Sequence, residues 1–128
     1  KEKAKVYYSL AIANLHIKNY PIAKHCIEKS IVLNKEANYP SGILFALMAE
    51  AFLNYAQNGC ISMPVQHRIT DILKQGLVYQ YFQLQLSIMK ADIDAIKHLQ
   101  YKYQWIDFSY TVKQYKKFLD SISIFQQD

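Results

Sequence analysis

Turn-forming residues are scarce in this chain, which has three glycines and three prolines among 128 residues. An all-β fold needs many tight turns, so the shortage favours helices. Cysteine is rarer still. Cys26 and Cys60 are far apart and make neither a close-spaced metal pair nor a disulfide framework. Arginine occurs once, at Arg68, and arginine is the better reader of phosphates and bases. Long apolar runs are also missing. The longest, Gly42 to Ala49, ends at Glu50, well short of the roughly 20 residues a membrane span needs. The chain opens Lys1-Glu2-Lys3 without a signal peptide, so a cytoplasmic location is expected, with no membrane attachment. A fragment of a longer protein would hide such signals.

What is present suits one folded domain spanning 1–128. Apolar residues make up 52% and charged residues 20%, an ordinary balance for a packed core. Fourteen lysines and Arg68 give a net charge of +5, and the lysines concentrate in 1–35 and 90–117. Eleven tyrosines are the clearest excess.

Apolar periodicity organises the chain around residues 4–35, two helices folded back at Lys18-Asn19-Tyr20-Pro21. In the first, Val6, Tyr7, Leu10, Ala11, Ala13 and Ile17 form a stripe joined by Asn14, while Tyr8, Ile12 and Leu15 occupy a second face. The second runs to about Asn34, with Ile22, Ala23, Cys26, Ile27, Ser30, Ile31 and Leu33 as buried candidates. A third helix covers 41–56, and Ser62 with Pro64 starts a fourth after the longest loop. That helix either breaks near Gly76, the favoured reading, or continues to Met89. Asp92 caps a helix from about Ile93 to Tyr103, and a last helix runs from about Ser109 to Phe125.

The first unit resembles a tetratricopeptide repeat, a helix–turn–helix module with set positions for large and small residues. Tyr7, Leu10, Ala11, Ala23, Ile27 and Ser30 match those positions without a gap; Asn14 and Lys35 depart from the pattern. Phe45, Met48, Ala49 and Phe52 begin a second unit, and Tyr79, Phe82, Ala95 and Leu99 a weaker third. The resemblance implies an all-α, TPR-like α-solenoid of about three antiparallel helix pairs with a C-terminal capping helix. A helical bundle or another α-solenoid is the alternative.

By the same resemblance, the first helix of each pair lines a concave groove that holds a peptide or helix of a partner protein. The positions are Tyr8, Ser9, Ile12, Leu15 and His16 in unit one, Ala46, Leu47, Glu50, Leu53 and Asn54 in unit two, and Gln80, Tyr81, Leu84 and Ile88 in unit three. A subfamily grips C-terminal carboxylates with Lys and Asn, but its first two clamp positions fall here on Tyr8 and Ile12. The expected function is therefore a protein-interaction scaffold, of the kind found as the sensing part of bacterial regulators or as secretion chaperones. A homo-oligomer is compatible with it. The second reading is a nucleic-acid-associated helical domain using a lysine-rich face that includes Lys113, Lys116 and Lys117.

Catalysis has no strong candidate. His67 and Asp71 share a helix face, but nothing fixes Cys60 near them as a nucleophile. His16, His25, His67 and His98 are scattered, so neither a metal nor a cofactor is expected.

Overall fold

The chain's computed structural model describes residues 2–73, 80–102 and 108–124. These form seven helices: α1 (Glu2–His16), α2 (Tyr20–Glu36), α3 (Pro40–Asn58), α4 (Met63–Leu73), α5 (Gln80–Met89), α6 (Ile93–Lys102) and α7 (Phe108–Ile122). No strand occurs among the described residues, and the fold is all-α. No described helix is long and apolar enough to cross a membrane. Gly76 and the Trp105 joint lie outside the described residues.

Three of the helix ends are built alike. After α1, Lys18 N–H bonds the Leu15 carbonyl and Asn19 N–H the Asn14 carbonyl. Asn38 and Tyr39 repeat this after α2, using Lys35 and Asn34, and Ala91 and Asp92 repeat it after α5, using Ile88 and Ser87. Each is a Schellman turn, which needs one residue in the left-handed region. Lys18, Asn38 and Ala91 supply it, with φ of 62°, 51° and 54°. The next helix then starts at once. Pro sits in the first turn of α2 and α3, where its missing N–H leaves no bond unmade. At α6, Asp92 Oδ1 accepts the Ala95 N–H at 3.1 Å, as the sequence predicts.

Small residues set the helix packing. α1 buries Ala4, Ala11 and Leu15, flanked by half-buried Tyr8 and Ile12. The stripe through Val6, Leu10 and Ile17, predicted to pack, lies on the opposite side and is 59%, 45% and 72% exposed. The alanine side wins because it lets a neighbouring backbone approach closely. α1 packs on α2 and α3, α2 on α3, α3 on α4, and α5 on α6. Ser30 Oγ donates to the Ala4 carbonyl at 3.0 Å, and Asn34 Nδ2 donates to the Ser30 carbonyl at 2.8 Å. Gly42 of α3 presses on that same amide, where a Cβ would collide with Asn34. A short polar chain thus joins α1, α2 and α3. Ile22, predicted as buried, is 48% exposed, whereas Ala23, Cys26, Ile27 and Ser30 are buried.

The sequence predicts a capping role for the last helix. α7 instead packs across α1, α3 and α5. Its Leu119 and Ile122 enter the core, and Ile124 N–H continues the contact by bonding the Ala56 carbonyl at 2.9 Å.

Candidate functional site

Aromatic rings mark one side of the molecule. Tyr8 of α1 meets Phe45 of α3 edge-on at 5.8 Å between centroids, and Phe45 meets Phe82 of α5 at 4.9 Å. The three rings recur at equal intervals along the chain, one on each of α1, α3 and α5. A second row ties α3 to α7 through Phe52 and Phe118, 5.0 Å apart, and α7 to α1 through Phe118 and His16, 5.4 Å apart. Edge-to-face pairs of this kind are each worth about 0.5–1.5 kcal/mol beyond simple burial.

Between the two rows lies an open cleft of about 630 Å³. Tyr8, Ser9 and Ile12 form its α1 wall, Phe52 and Gln85 contribute from α3 and α5, and α7 supplies Tyr110, Thr111, Gln114, Tyr115 and Phe118. None of these ten side chains is charged. Burial pushes the Tyr8 hydroxyl above its ordinary pKa. Its size falls within the range of pockets that bury a drug-sized ligand or a few anchoring side chains.

Several groove residues named from the sequence lie elsewhere. Tyr8, Ser9 and Ile12 line the cleft, and His16 sits at its margin against Phe118, with Nδ1 3.4 Å from Ser121 Oγ. Leu15 and Leu84 belong to the core, 0% and 3% exposed, as do Ala46, Leu47 and Ile88. Glu50, Leu53 and Asn54 line a separate cleft with Lys24, Glu28 and Arg68. There, Arg68 of α4 forms an ion pair with Glu50, and Asn54 Oδ1 accepts the Ser62 N–H. Burial raises the Glu50 carboxyl's pKa, and the Arg68 charge opposes that rise. These contacts turn the 50–54 side of α3 toward α4, while Phe52 lines the cleft. The side chains of Gln80 and Tyr81 lie outside the described residues.

The cleft residues that sequence reasoning misses are Phe52, Gln85 and all those of α7. Tyr110, Gln114 and Phe118 sit at helical spacing and could have been read as one face, but no local signal says where that face docks.

Elsewhere, Cys26 is buried, as the sequence predicts, and Cys60 is exposed. Cys60, His67 and Asp71 are all exposed. Among the described residues no group of three or more His, Cys, Asp or Glu side chains is placed to hold a metal. Compared with protein-family models, curated proteins and solved structures, the chain has no match.

Proposed function

We propose that this chain is a protein-interaction module, a TPR-like helical array whose α1–α7 cleft holds an amphipathic helix or peptide of a partner protein. The single observation that carries the reading is α7 itself. It is an amphipathic helix seated across α1, α3 and α5, so this side of the molecule already accommodates one helix, and the neutral aromatic cleft runs alongside it. Helix-in-groove recognition works by such apolar anchors at helical spacing. The array reading draws support from the repeated Schellman turns, the evenly spaced Tyr8–Phe45–Phe82 ladder, and the contacts that pair α1 with α2 and α5 with α6. Ser30 reaching back to Ala4 supports an antiparallel first pair.

The test is a selection of helical peptides from a displayed library, followed by affinity measurements on Ser9→Trp. Ser9 is exposed, so the indole would fill the cleft without entering the core. Selected peptides should lose at least about tenfold in affinity, or about 1.4 kcal/mol. Unchanged affinity for every selected peptide would refute the assignment.

A further inference from the structure

α7 presents a second face, opposite the cleft. Lys113, Lys116 and Lys117 lie within one turn or so of each other and line a groove of about 530 Å³ between α6 and α7. Like charges at three- and four-residue spacing repel. Among the described residues none of the three has a carboxylate partner: the ion pairs present are Lys5–Glu2 and Arg68–Glu50. The groove floor includes the half-buried aliphatic side chains Ile96 of α6 and Val112 of α7.

We infer that this groove is a second docking site, independent of the α1–α7 cleft, for an acidic amphipathic peptide segment. Its carboxylates would lie beside Lys113, Lys116 and Lys117, and its apolar side chains over Ile96 and Val112. Three lysines against the single carboxylate of Asp120 leave the described lining net positive, so the occupant is anionic. The choice between a peptide and a nucleic acid follows from the remaining lining. Among the described residues, no aromatic ring lines the groove to stack on a base, and no arginine lines it to fork onto a phosphate. Asp120 at the same groove repels a phosphate backbone, whereas a peptide can set a lysine or an amide against it. An aliphatic floor gives nothing to a phosphodiester but buries a leucine.

The experiment uses three fluorescein-labelled probes in anisotropy titrations with the whole chain. One is a helical peptide with Glu along one face and Leu along the next, the second its Gln-for-Glu counterpart, and the third a short oligothymidylate. The acidic peptide should bind, the Gln peptide should bind at least about tenfold more weakly, and rising salt should weaken the acidic peptide. The double change Lys113→Glu with Lys117→Glu should cost about tenfold or more; both positions are exposed, and a circular dichroism melt checks the fold. Ser9→Trp should leave this binding unchanged, which separates it from the cleft. Tighter binding of the oligothymidylate, equal binding of the Gln peptide, or indifference to the double charge reversal would overturn the inference.

Discussion

The Tyr20 hydroxyl donates a hydrogen bond of 2.6 Å to the carbonyl of Ile122, 102 residues further along the chain. Tyr20 opens α2 and Ile122 ends α7, so this buried bond fastens the last helix to the first helix pair. Removing the hydroxyl leaves a buried carbonyl short of a donor. Tyr20→Phe should therefore destabilise the chain by about 1–3 kcal/mol. Denaturant unfolding gives the magnitude. Amide exchange at Ser123 and Ile124 should accelerate more than exchange in α2 if the bond secures α7.

Alkaline pH should act on the same contact. Burial raises the pKa values of Tyr8, Tyr20 and Cys26 above their ordinary values. The folded state then keeps protons that the unfolded chain releases, so stability is fully present below the unfolded values. It falls as pH rises through about 8.5 for cysteine and about 10 for tyrosine. Melting temperatures measured from pH 7 upward should fall across that window. Tyr20→Phe should show a shallower fall.

Ala91 carries a φ of 54° in the turn after α5, where a Cβ is unfavourable. Ala91→Gly should stabilise the chain by up to about 1 kcal/mol, less whatever glycine adds to unfolded-state entropy. Ala91→Val should destabilise it. Thermal melts of the two variants against the parent decide the sign.

At Gly42 the expectation runs the other way. An added Cβ would strike the Asn34 side chain and the Tyr39 ring. Overpacking of this kind costs about 1–3 kcal/mol. Asn34→Ala should relieve part of that clash, so the double variant Asn34→Ala with Gly42→Ala should be less unstable than the two single effects added together. A double-mutant cycle by chemical denaturation measures that coupling.

Local chemistry made much of this fold legible. The turns before Pro21 and Pro40 and the cap at Asp92 are written in neighbouring residues, and the helices begin within a residue or two of those signals. Alternate faces of α1 were legible as well, since Tyr8 and Ile12 are separated from Val6 and Leu10 by helical geometry alone. Which face would be covered was not. Periodicity treats both stripes as equally apolar, and only the positions of α2, α3 and α7 choose between them. The same limit applies to α3. The Arg68–Glu50 pair joins residues on different helices, and it turns the 50–54 side toward α4 against the frame that the repeat resemblance supplied. The evenly spaced rings at Tyr8, Phe45 and Phe82 would have corrected that frame. The opposite wall of the cleft depends on a helix returning from the far end of the chain, a long-range event with no local signature.

The most direct test of the cleft is a map of amide chemical-shift changes as a library-selected helical peptide is titrated into isotope-labelled protein. The largest changes should fall at Tyr8, Ser9, Ile12, Gln85, Thr111 and Gln114, with little change at Glu50, Asn54 and Arg68. Changes centred on Glu50, Asn54 and Arg68 would move the partner to the α2–α4 side and contradict the proposed function.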